Sequence, residues 1–219
     1  MGYWRNLMLA AFAPLVKAAS GYETASTGWR TRGWYASTDG INALLTVGGD
    51  ALRSRSREMV RRNAWASNAI EKFVANAVGA GIKPQSKHPD AAIKRRLQKL
   101  WLRWTDEADA HGLTDFYGLQ ALVCRSAIEG GECLVRLRHR RDEDGLTVPL
   151  QLQLLEAEHL PLTKNEDLPN GHVIRAGIEF DALGRRVAYH LYREHPGEKL
   201  MFFNAGETTR VPAESVLHI

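Results

Sequence analysis

Two arginine clusters carry the densest chemistry in the sequence. Arg53, Arg55, Arg57, Arg61 and Arg62 form one; Arg136, Arg138, Arg140 and Arg141, with His139 among them, form the other. A guanidinium stays charged at any physiological pH and offers a fixed fork of N–H donors, so its chemistry is the capture of carboxylates and phosphates. Arg53, Arg57 and Arg61 recur every four residues and share one face of a helix. That face reads as a solvated charged surface, a polyanion surface or a subunit interface. Arg136, Arg138 and Arg140 alternate and share one face of a strand, which could meet phosphates. Asp142, Glu143 and Asp144 follow at once, so charge balance across a hairpin explains them comparably well. No base-reading motif accompanies either cluster, and any nucleic-acid contact would be sequence-blind.

Catalytic patterns are tested and set aside. There is no Gly-x-x-x-x-Gly-Lys-Ser/Thr phosphate loop, and Gly79-Ala80-Gly81 ends a helix where a dinucleotide fingerprint would begin one. His190, Glu194 and His195 straddle a strand end, where positions four apart lie about 13 Å from each other, too far for one zinc ion. Glu156 and Glu158 share a strand face, but no third group can be assigned to them and a solvated edge is the expectation. Cys124 and Cys133 read as small core residues. The sequence therefore predicts no enzyme, no metal and no cofactor.

These clusters sit in a chain of 219 residues with a formal net charge of +4, 44% hydrophobic and 25% charged, the profile of a globular protein. The near-neutral total conceals a bipolar distribution. Residues 49–104 hold 13 Lys/Arg against 4 Asp/Glu, and residues 105–170 hold 6 against 13. No run approaches the 18 apolar residues of a membrane span. The run Leu7-Met8-Leu9-Ala10-Ala11-Phe12-Ala13 imitates a leader, but Pro14 and Lys17 spoil the pattern and an amphipathic arm is expected.

Periodicity divides the chain into three. Residues 1–48 read as an extended arm anchored by Tyr22, Trp29, Trp34 and Tyr35. Residues 49–131 are helical. One long helix is predicted over residues 50–78, with Leu52, Met59, Ile70 and Phe73 on its apolar stripe and Arg53, Arg57 and Arg61 opposite. A second runs over residues 90–104 with Ile93, Leu97, Leu100, Trp101 and Trp104 inward. A third runs over residues 115–129, capped by Thr114. Residues 132–219 switch to period two. Residues 133–137 and 146–155 form one hairpin, and residues 173–180 and 187–192 form another about Asp181-Ala182-Leu183-Gly184. Helices followed by an antiparallel sheet give an α+β fold. The last residues, Pro212 to Ile219 in sequence, read as a loop entering a new strand, which points to a longer polypeptide.

Taken in order, several blocks resemble phage portal proteins of the lambda type. They are Leu52-Arg53-Ser54-Arg55-Ser56-Arg57 with Arg62-Asn63-Ala64-Trp65-Ala66; Val74-Ala75-Asn76-Ala77-Val78-Gly79-Ala80-Gly81-Ile82; Asp115-Phe116-Tyr117; and Arg125-Ser126-Ala127-Ile128-Glu129-Gly130-Gly131-Glu132. They continue with Val148-Pro149-Leu150-Gln151-Leu152-Gln153-Leu154-Leu155-Glu156, Gly177-Ile178-Glu179-Phe180-Asp181, Val187-Ala188-Tyr189-His190-Leu191 and Val211-Pro212 with Val216-Leu217-His218-Ile219. The resemblance runs over about residues 50–219 and implies the N-terminal part of a longer subunit. It further implies a homo-oligomeric, dodecamer-like ring at one capsid vertex of the virion, assembled in the bacterial cytoplasm. Double-stranded DNA would pass through the ring during packaging and ejection, driven by a separate terminase, and the capsid and tail or neck proteins would dock on it. The helices would then be wing- and stem-like and the hairpins clip-like. On this reading Arg136, Arg138, Arg140 and Arg141 face the channel or the terminase, and Arg53, Arg57, Arg61, Trp29 and Trp34 meet a neighbouring subunit. The alternative is a sequence-independent nucleic-acid-binding module that uses the basic helix of residues 53–62.

Overall fold

The computed structural model describes residues 29–30, 32–34, 37–198 and 206–219. The leader-like run, Tyr22 and Tyr35 lie outside the described residues. The chain divides into two units, Met1–Gly40 and Ile41–Ile219. In the first, Trp29 and Trp34 are exposed and the Arg30 guanidinium lies 5.7 Å from the centre of the Trp29 ring.

The second unit is α+β. Helix α1 (Ile41–Arg62) starts well before residue 50 and is separated from α2 (Ala64–Ala77) by Asn63. The single long helix expected from periodicity is thus two. Asn63 adopts an extended backbone, and its side-chain oxygen accepts hydrogen bonds from the Trp65 and Ala66 N–H groups. A short polar side chain that satisfies the first amides of a new helix competes with continuation of the old one. Apolar periodicity passes through that position without registering it.

Helix α3 (Ala91–Glu107) is capped by Asp90, and α4 (Phe116–Gly130) by Asp115, whose carboxylate accepts from Gly118 N–H. The cap of α4 is therefore Asp115, not Thr114. Trp101, Trp104 and Phe116 lie 5.0 to 5.2 Å apart between ring centres. The Trp104 indole donates to the Leu150 carbonyl at 2.7 Å. Ile93, Leu97 and Leu100, expected inward, are all exposed.

Among the described residues, eight strands make two antiparallel sheets. The first has the order β2-β1-β8, from β1 (Cys133–His139), β2 (Leu150–Glu156) and β8 (Val216–His218). The second runs β3-β4-β5-β6-β7, from β3 (Glu166–Asp167), β4 (Val173–Arg175), β5 (Ile178–Phe180), β6 (Arg186–Tyr192) and β7 (Thr208–Pro212). Residues 173–180, expected as one strand, are a hairpin. Ala176 and Gly177 both have positive φ, 49° and 78°, as a type I′ turn requires.

The β1–β2 register explains the alternating faces of β2. Leu150, Leu152 and Leu154 pack toward Trp104, Ala108 and Leu119 of the helical layer. On the opposite face Leu134 pairs with Leu155, Arg136 with Gln153 and Arg138 with Gln151. Leu134 and Leu155 belong to the core between the sheets, with Leu160, Tyr189, Leu191, Val211 and Val216. Beyond them the same face turns polar.

Candidate functional site

On that polar face β1 and β2 form a ladder of arginines and glutamines. Arg140 Nε donates to Gln151 Oε1 at 2.8 Å, and an Arg138 guanidinium nitrogen donates to Gln153 Oε1 at 3.2 Å. Each bond is diagonal, joining an arginine to a glutamine two residues from its direct partner. One more step along the diagonal sets Arg136 against Leu155, which offers no acceptor. The Arg136 side chain makes no hydrogen bond or ion pair among the described residues, although it is half-buried. Burial, then the charge of Arg138, lower its pKa. Arg136, Arg138, Arg140 and Arg141 all lack a carboxylate partner among the described residues; Asp144 instead accepts from the Arg141 backbone N–H at 3.0 Å. The charge balance with Asp142, Glu143 and Asp144 that the sequence suggested does not form.

The arginines of α1 behave differently. Arg53, only 7% exposed, pairs with Asp50 at 3.0 Å and Glu132 at 2.7 Å. The other Glu132 oxygen lies 2.8 Å from His218 Nε2. His218, followed by Arg53, holds the Glu132 carboxyl below its usual range against the opposing effect of burial. Arg57 binds Glu156 at 2.6 Å and Glu158 at 2.8 Å. Arg61 and Arg62 both pair with Glu58 on the surface. The arginine face of α1 is therefore its inner face, while Leu52 and Met59, each 59% exposed, lie outside. This inverts the amphipathic reading of the sequence. A buried guanidinium with two carboxylates can lie inward as readily as a leucine.

Glu156 and Glu158 thus acquire the third group that the sequence did not supply, and it is Arg57. His195 Nε2 also lies 3.4 Å from Glu156. The ligand atoms of Glu156, Glu158 and His195 all fall within 4.8 Å of one another, but Arg57 already supplies a cation there. His190 and His195 face different carboxylates. His190 joins His172 and Arg210 around Glu179, whose side chain is 3% exposed. Arg210, then the two histidines, lower the Glu179 carboxyl to about 2 against burial. Sequence reasoning missed this centre. Its one signal was a carboxylate between Ile178 and Phe180, on a strand too short to leave it outside. Cys133 is fully buried, and burial, then Glu132, raise its thiol pKa, as befits a core residue.

No helix among the described residues is long and apolar enough to cross a membrane. Among the described residues the surface carries an arginine face on the first sheet without carboxylate partners and an exposed apolar face on the helices.

Residues 27–219 match the family described as phage portal protein, lambda family. The chain is also 28% identical over 177 residues to a probable portal protein of Halomonas phage phiHAP-1 (isolate -/Gulf of Mexico/-/2001), covering 76% of this chain and 33% of that protein. The aligned part thus spans about a third of the relative's length. An α+β chain whose fitted portion takes in both sheets and all four described helices belongs to the lambda family of phage portal proteins.

Proposed function

We propose that the chain is the N-terminal part of a structural, non-enzymatic subunit that forms a dodecamer-like ring at the capsid vertex. DNA passes through the ring in packaging and ejection, and the terminase, capsid and tail or neck proteins dock on it. The helices are its wing- and stem-like part and the two sheets its clip-like part. The observation that carries the reading is the uncovered apolar surface of the helices: Val47 is 90% exposed and Trp65 84%, with Leu52, Met59 and Phe73 beside them in sequence on the same two helices. A lone soluble domain rarely leaves so many large apolar side chains in water, and subunit contacts cover such surfaces. The exposed Trp29 and Trp34, and the surface Arg61, are also proposed to meet a neighbouring subunit, whereas Arg53 and Arg57 brace the subunit from within. Arg136, Arg138, Arg140 and Arg141 face the channel or the terminase.

The alternative of a basic helix laid directly on DNA is weakened, because Glu132, Glu156 and Glu158 already neutralise Arg53 and Arg57. The test is a double substitution, Leu52→Asp with Met59→Asp, in the longest available form of the subunit. The expected result is loss of assembly with an unchanged circular-dichroism spectrum. Assembly unaffected by both charges would overturn this choice of interface.

A further inference from the structure

The unpaired end of the arginine ladder opens into a cleft of about 380 Å³ between the two sheets. Arg136, Arg138 and Gln153 form one wall, and Tyr192, Arg193 and Thr209 the other. Leu155 and Leu191, both buried in the inter-sheet core, also line it. No carboxylate among the described residues lines the cleft. Outside it, Glu207 lies 3.9 Å from Arg193, with both side chains largely exposed. Arg193 Nε donates to Thr209 Oγ1 at 3.1 Å, which leaves the Thr209 hydroxyl proton free to donate in turn.

The chemistry of this cleft is incomplete as it stands. Arg138 spends one side-chain donor on a neutral amide and Arg136 spends none, so their charges lie side by side on one face of β1 without an anionic partner among the described residues. Arginine does not relieve such a conflict by losing its proton. Burial of an uncompensated charge is unfavourable, and an anion with several oxygens relieves it by accepting from more than one guanidinium fork.

We propose that this cleft is a binding site for a phosphate-type oxyanion, held by Arg136 and Arg138 from one sheet and by Arg193 and the Thr209 hydroxyl from the other. Phosphate suits it better than a carboxylate, because three forks on two walls outnumber the two oxygens of a carboxylate. The phosphate comes either from a nucleic-acid backbone or from free solution. The site deepens the reading of the Arg136 edge as facing DNA or the motor, and that reading bears only on the source of the phosphate.

The test uses the whole 219-residue chain. Inorganic phosphate is titrated at constant ionic strength while the arginine Nε–H signals are followed by NMR. Saturable movement of the Arg136, Arg138 and Arg193 signals is expected. Arg136→Met and Arg193→Gln should each weaken binding about ten-fold, whereas Arg62→Gln on the distant helix surface should leave it unchanged. Arg193→Gln alters an exposed side chain and keeps the test decisive if Arg136→Met fails to fold. A second arm follows a short DNA duplex by anisotropy. Competition by phosphate, with a salt slope reduced by about one in Arg136→Met, identifies the backbone as the source. Phosphate binding without DNA competition supports the site with a free anion as its ligand. Non-saturable shifts, variants that bind as well as the parent, or tighter binding of an acidic peptide of equal charge would each overturn the proposal. Ring assembly is read separately, from particle mass, so either reading can fail without the other.

Discussion

Glu179, buried, and Arg136, half-buried, are opposite cases of a charge taken partly or wholly out of water. Glu179 is fully compensated by Arg210, His172 and His190, so its removal should hurt. Glu179→Gln is expected to lower stability by about 2 kcal/mol in denaturant titration, at the modest end for a buried pair because Arg210 is half exposed. Its pKa, lowered to about 2, sets the sign of the pH dependence. A carboxyl more acidic in the folded state stabilises above its unfolded pKa, near 4.5, and that contribution disappears as the pH falls from there toward 2. The variant should therefore show a flatter acid limb in its thermal transition against pH. The Arg136 side chain, by contrast, has no partner among the described residues, and Arg136→Met should raise the melting temperature by a few degrees while phosphate binding falls. A residue that costs stability and supports binding is the expected signature of a site. The alternation of Arg136, Arg138 and Arg140 was legible from spacing. The missing acceptor was not, because it depends on the register with Leu155, a strand away in the hairpin.

At the scale of elements, the period of the sequence revealed where helices and strands lie and misjudged how they are cut and turned. Asn63 divides α1 from α2 through two hydrogen bonds to its side chain. Asn63→Ala should cost about 1 kcal/mol, and hydrogen exchange should rise at the Trp65 and Ala66 amides. The Ala176-Gly177 turn cuts an apparently continuous strand. A Cβ at Gly177 would meet Leu160 at 2.9 Å and Pro161 at 3.0 Å, on a backbone with φ of 78°. Gly177→Ala is expected to destabilise by more than 1 kcal/mol, with local loss of protection in β4 and β5. The orientation of α1 was the least legible feature. Apart from Asp50, the carboxylates that receive Arg53 and Arg57 lie 79, 99 and 101 residues further along the chain, and no local pattern contains them.

At the scale of the whole molecule, charge and apolar surface are divided between different faces. Helix α1 directs Arg53 and Arg57 inward, and α1 and α2 leave leucine, methionine and tryptophan outside. The first sheet keeps an arginine face with no acidic counterpart among the described residues. A subunit that packs side by side through apolar helix faces, and presents cations to what passes or docks, accounts for both. The most direct measurement is the particle mass, by native mass spectrometry or light scattering, of this chain and of a version extended toward the length of its Halomonas phage relative. The account predicts a ring of about a dozen copies from the longer chain, held by heterologous contacts that close on themselves. A longer chain that remains monomeric at high concentration and binds DNA with a steep salt dependence would contradict it.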